Sequence, residues 1–223
     1  MARAATRLQP VPLHPVQRGV DHPAAIVGFG DGGPPTGVAS PPISNAQLGM
    51  LIFVAFETMV FIGLVSAYWV LRVKSFTWPP SDLPRLPLAI TWVNTLMLFV
   101  SAFTMSRAVA AARANNQAGL RSALVATAML GVGFLAVQGS EWARLIRQGL
   151  TLSSGSYGST FYTLIGLHAV HVVGAVVWLL GVLAMAQRQA FTAQRHVGVT
   201  LCGMYWYFVC ALWALLFVVV YLI

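Results

Sequence analysis

The sequence predicts an all-α, polytopic integral membrane protein with five transmembrane helices. Three observations carry that expectation. Five apolar runs, at about 47–71, 88–107, 120–141, 159–186 and 197–222, each hold at least 20 residues. A helix of about 20 residues crosses ~30 Å of hydrocarbon. Of the 223 residues, 58% are hydrophobic and only 8% charged, with a mean hydropathy of +0.76. A soluble domain carries about a quarter charged residues, enough to cover a watery surface. Finally, none of the 12 prolines falls inside a run. Uninterrupted helices satisfy their own backbone groups in lipid. The runs are continuous rather than alternating, which excludes a β-barrel.

The elements follow in order. Residues 1–46 hold eight prolines and six glycines, with Phe29 as their one aromatic. Such a stretch buries too little apolar surface to offset its ordering entropy. It is expected to be an extended or disordered arm, ahead of a five-helix domain at 47–223. Met1-Ala2-Arg3 is followed by no apolar h-region, so no signal peptide is expected. The first loop, after residue 71, collects Pro79, Pro80, Pro84 and Pro87. Later helices carry small residues at helical steps: Gly63 with Ala67, Thr127 with Gly131, and Gly174 with Gly181. Each pair either marks a close helix approach or reflects ordinary membrane-helix composition.

The net charge is +8. The basic residues sit at the ends of apolar runs, where they meet lipid headgroups, and no basic stripe with interleaved aromatics appears. Nucleic-acid binding is therefore not expected. With the N-terminus inside, the inner segments hold Arg3, Arg7, Arg18, Arg107, Arg113, Arg121, Arg188 and Arg195. The outer ones hold Arg72, Lys74, Arg85, Arg144 and Arg147. That bias favours a cytoplasmic N-terminus. Trp69, Trp78, Trp92 and Trp142 fall near the outer edge, as an aromatic belt does. Cys202 and Cys210 lie eight apart in one run, so no disulfide is expected between them.

Few residues are equipped for chemistry. Glu57 lies ten residues into the first run, about 15 Å deep. A lone charged carboxylate there is costly, so it is neutral or hydrogen-bonded. It serves either proton handling and lipid contact or the joining of two helices. His168 and His171 lie at i, i+3 on the fourth helix, near the depth of Glu57. The three make a polar layer across two helices geometrically feasible, as hydrogen-bonded packing or, with too few ligands, a metal site. Haem is disfavoured, because the histidines within the runs are on one helix. Glu141 has Gln138 at i−3 and Arg144 at i+3. It forms either a local salt bridge or a contact with the 153–157 loop or a partner. No hydrolytic triad, HExxH, Walker motif or GxGxxG is present. A small channel gated by Glu57 is a rival reading, but no inverted repeat or broken helix supports it.

Together these motifs resemble one family. Pro42-Ile43-Ser44-Asn45-Ala46-Gln47-Leu48-Gly49-Met50, leading to Glu57, Phe61 and Ala67-Tyr68, is similar to the entry helix of cytochrome c oxidase subunit III. Asn94-Thr95-Leu96, Gln138 and Glu141-Trp142 fit. So does the block Gly155-Ser156-Tyr157-Gly158-Ser159-Thr160-Phe161-Tyr162, continuing through Gly166, His168, His171, Val172 and Gly174. Tyr205-Trp206, Phe208-Val209 and Trp213 close the match. The chain resembles the five-helix form, without the two leading helices of the long form.

The resemblance implies an accessory subunit of a proton-pumping oxidase. Such a subunit has no catalytic residues, metal or other cofactor of its own; haem and copper lie in subunits I and II. It implies bound phospholipid, with Glu57, Arg72 and Trp69 linked to lipid or protons, and a central layer of His168, His171 and Tyr207. Gln138, Glu141 and Arg144 are then an outer interface. The implied setting is the bacterial inner membrane, in a hetero-oligomeric respiratory complex or supercomplex. The equivalent subunit of a quinol oxidase or nitric oxide reductase is the alternative. The chain departs from the family where that usually reads Tyr-Trp-His-Phe-Val-Asp. Here Tyr205-Trp206-Tyr207-Phe208-Val209-Cys210 lacks both members of an i, i+3 ionisable pair, so neither is left as an unpaired buried charge.

Overall fold

Five long helices carry the fold in a computed structural model that describes residues 43–80 and 88–223. They are α1 (Asn45–Lys74), α2 (Leu88–Arg113), α3 (Gln117–Arg147), α4 (Gly155–Gln187) and α5 (Val197–Leu216). A π-helical segment, Phe217–Leu222, continues α5. All five are long and apolar enough to span a membrane. The expected arm lies outside the described residues as far as residue 42, as do Pro84 and Pro87.

Each of the first four apolar runs sits inside a helix that extends past it, because lipid-facing length does not end a helix but capping and chain reversal do; the fifth run is α5 together with the π-helical segment. α1 begins at Asn45, two residues before the expected boundary. Ser44 caps it, and Gln47 reaches back to the Ser44 backbone in a capping box. Asn116 caps α3 by accepting from the Gly119 N–H. Asn115 just before it takes a positive φ of 55°, which lets the α2–α3 connection turn in three residues.

α5 is the central helix. Inside the bundle, 61% of its apolar stretch is buried, against 6% for α1. α1 buries only Phe61 and Tyr68 and packs on α4 and α5. α2 and α3 form the most extensive pair, and both α2 and α4 lie against α5. Fully buried Trp206 and Trp213 project from α5 toward α2. Trp206 Nε1 donates to Ser101 Oγ at 3.1 Å, and Trp213 Nε1 donates to Thr95 Oγ1 at 3.0 Å. Thr104 and Thr127 join α2 to α3 at 2.8 Å. Cys202 and Cys210 are buried and free.

The small-residue pairs divide. Gly131 marks a close approach: a Cβ there would lie 2.5 Å from Trp206 Cη2. Gly63, Gly174 and Gly181 face open space within the chain, so at these positions the spacing reports composition rather than a contact. Gly131→Ala is therefore expected to overpack the α3–α5 contact and cost about 1–3 kcal/mol. Gly181→Ala should cost nothing. Thermal unfolding of the two variants in detergent checks the contrast; equal melting temperatures would remove the assigned contact.

Candidate functional site

α1 reaches the bundle through one polar contact at mid-membrane depth. Glu57 and His171 sit near the midpoints of α1 and α4. His171 Nε2 lies 2.9 Å from Glu57 Oε2, with side-chain exposures of 13% and 17%. Phe61, one turn along α1, packs edge-on against the imidazole at 5.2 Å.

The donor inventory fixes how this pair holds its proton. His171 Nδ1 is 2.7 Å from the Leu167 carbonyl oxygen. A carbonyl only accepts, so Nδ1 carries a hydrogen. Nε2 is then left with either a lone pair or a second hydrogen. One proton lies between Nε2 and Oε2, as a carboxylic acid donating to imidazole or as an imidazolium donating to carboxylate. Both forms are neutral overall, which is the state a membrane interior favours. Loss of that proton would set a carboxylate against a nitrogen lone pair.

Two turns toward the C-terminal end of α1, α1 and α4 leave a cleft of about 140 Å³. It is lined by Leu64, Ala67, Tyr68, Ser159, Thr160, Thr163 and Leu164. Tyr68, on the cleft's wall, belongs to an aromatic cluster. Trp78 Nε1 donates to the Tyr68 hydroxyl at 3.3 Å, and its ring meets Tyr68 and Tyr157 edge-on. Arg72 donates to the same hydroxyl and to the Ile223 backbone oxygen, and its guanidinium lies 5.5 Å over the Trp69 ring. Arg72 thus ties α1 to the end of the bundle, while Trp69 is more exposed.

The other expected site residues separate from this pair. His168 is 1% exposed and turns inward, stacked 5.4 Å from Trp213. A step of three residues on a helix rotates a side chain by about 60° from the one before. That is enough here for His171 to meet α1 and His168 to meet α5. Tyr207 is 37% exposed on α5, with its ring toward Gly203, and does not extend the layer. The expected three-residue layer is therefore a pair, and His168 belongs elsewhere.

That second place is a polar layer inside α2–α5, which the sequence reading missed. Asn94 Nδ2 donates to the Phe134 carbonyl at 3.3 Å and lies 3.5 Å from Gln138 Oε1. Phe134 packs edge-on against Trp213, and Trp213 stacks on His168. Tyr221 faces Gln138 and Glu141. Glu141 is only 7% exposed, whereas Arg144 is exposed, so the i, i+3 salt bridge does not form. The signal available in sequence was a polar residue in each of three apolar runs.

Asn94 Oδ1, Glu141 Oε2, Trp142 Nε1 and both ring nitrogens of His168 are buried without a hydrogen-bond partner among the described residues. Each such atom costs about 1–3 kcal/mol if left dry and unpaired. Among the described residues, no three His, Cys, Asp or Glu side chains group as a metal-ligand set.

Comparison with known proteins agrees with this architecture. The family model for cytochrome c oxidase subunit III matches residues 38–223. The chain is 36% identical to cytochrome c oxidase subunit 3 of Synechocystis sp. over 178 residues, covering 79% of this chain and 75% of the relative. It is 34% identical to the probable cytochrome c oxidase subunit 3 of Mycobacterium leprae, covering 79% and 87%. It is 31% identical to cytochrome c oxidase subunit 3 of Pongo abelii, covering 81% and 70%. A five-span chain with one membrane-buried Glu–His pair, matched over nearly all its described length, belongs to the cytochrome c oxidase subunit III family.

Proposed function

We propose that this chain is the cofactor-free accessory subunit of a proton-pumping cytochrome c oxidase in a bacterial cytoplasmic membrane. In this reading its N-terminal arm of residues 1–46 is cytoplasmic, and it packs beside subunits I and II. Those subunits hold the haem and copper and move electrons from cytochrome c to oxygen. The observation that carries the reading is the Glu57–His171 pair beside the α1–α4 cleft, in a chain of this family. The pair keeps one exchangeable proton at mid-depth, two turns from a groove with apolar walls and a few hydroxyls. Glu57 is the proton-linked carboxyl, and a phospholipid chain fills the groove. Arg72 and Trp69 stand near its headgroup level. Of the expected outer interface only Arg144 is exposed and free to meet a neighbouring subunit; Gln138 and Glu141 are turned into the chain's own interior. In this reading the chain stabilises the catalytic subunit and supports its proton uptake.

The two roles of Glu57 separate by substitution. Glu57→Gln keeps a hydrogen bond, since an amide N–H donates to Nε2, but it holds no exchangeable acid. Glu57→Leu removes both. We expect full haem content in either variant. Glu57→Gln should change the number of turnovers before inactivation, or its pH dependence. Glu57→Leu should in addition weaken the α1–α4 association by roughly 1–2 kcal/mol, in the range of interhelical polar contacts in membranes. Haem spectra, turnover number and thermal unfolding of the purified complex decide. Loss of haem in Glu57→Gln would contradict an accessory role.

The cofactor-free reading has its own check. The chain purified alone from the complex should show no Soret absorption. A tightly held haem in that preparation would overturn it.

A further inference from the structure

We propose that the α2–α5 interior is a binding site for ordered water, held by Asn94, Glu141 and His168. The inference is independent of the Glu57 reading, because His168 faces away from that pair. Three side chains from three helices, each more than nine-tenths buried, offer polar atoms with no partner: Asn94 Oδ1, Glu141 Oε2 and both nitrogens of His168. Orphaned atoms of this kind are rare in native interiors, and ordered water is their ordinary partner.

The contacts place the three in one polar region. Asn94 meets Gln138 on α3 and the Phe134 carbonyl. Tyr221 meets Gln138, with Glu141 within electrostatic range of its phenol. Trp213 links Phe134 to His168. Neither ring nitrogen of His168 has a side-chain partner among the described residues. Its stacking partner Trp213 has a single N–H, which is already given to Thr95. A neutral imidazole presents one donor and one acceptor. Water satisfies both where Trp213 satisfies neither. The same logic serves Asn94 Oδ1, which accepts nothing although the amide nitrogen beside it donates. His168 and Phe134 lie at the level of Trp213, and Gln138 and Glu141 follow one and two turns further along α3, so the hydrated region runs along α3 from Glu141 to His168.

Radiolytic footprinting of the native oxidase complex tests this directly. Hydroxyl radicals form from water on the spot, so a buried side chain beside bound water is oxidised and one in a dry core is not. Trp206 is the internal control: it is as buried as Trp213, and its Nε1 is satisfied by Ser101. We expect oxidation at Trp213 and His168 several-fold above Trp206, with isotope-labelled water entering the products slowly. In His168→Phe the oxidation of Trp213 should fall to the Trp206 level. Equal, low labelling of Trp213 and Trp206 in the wild-type complex would overturn the proposal without any variant. Persistence of strong Trp213 labelling in an assembled His168→Phe complex would overturn the assignment of the water to His168.

Discussion

Two indole N–H groups hold this bundle together. In hydrocarbon, apolar side chains gain little by leaving lipid for protein, so helix association rests on close packing and interhelical hydrogen bonds. Trp206 and Trp213 on α5 each supply both, with a large buried ring and one donor to α2. Their acceptors are prepared. Ser101 gives its own hydroxyl hydrogen to the Leu98 carbonyl, and Thr95 gives its hydrogen to the Thr91 carbonyl. Each hydroxyl is thereby oriented with a lone pair free for the indole. The position of α5 at the centre, and the register of α3 and α4 around it, follow from those two anchors.

Around that core the ionisable groups sort into two systems. Glu57 and His171 form a neutral proton-sharing pair on the thinly packed side, where α1 has little else to hold it. His168, Asn94, Gln138, Glu141 and Tyr221 occupy the interior. The division is set by which neighbour each face of α4 meets. Two histidines three residues apart serve different helices.

Much of this was legible in the sequence. The five spans followed from continuous apolar runs and from prolines confined to the arm and first loop. The depth of Glu57 and its match to the α4 histidines also followed from rise per residue. What could not be read was rotation. Helical spacing says that His168 and His171 share a side of α4, not which neighbour stands on that side. For the same reason the partner of Glu141 was sought along its own helix at Arg144, whereas the group in its field is Tyr221 in the π-helical segment. Tyr207 entered the polar layer through family resemblance alone, and its side chain faces outward. Gly131 and Gly181 look equivalent as letters. They differ because Trp206 happens to lie across one of them.

The last turns of the chain impose a requirement of a different kind. Between Phe217 and Leu222 the backbone closes five residues back, as in the bond from the Ile223 N–H to the Val218 carbonyl. A π turn accommodates one more residue than the α turn it replaces. That extra residue is absorbed in the wider turn. Deleting one position within Phe217–Leu222 would close an ordinary α turn and leave the side chains beyond it at the same azimuth, whereas a deletion within the α-helical part of α5 would swing everything after it by about 100°. The tail can therefore give up a residue that the helix before it cannot.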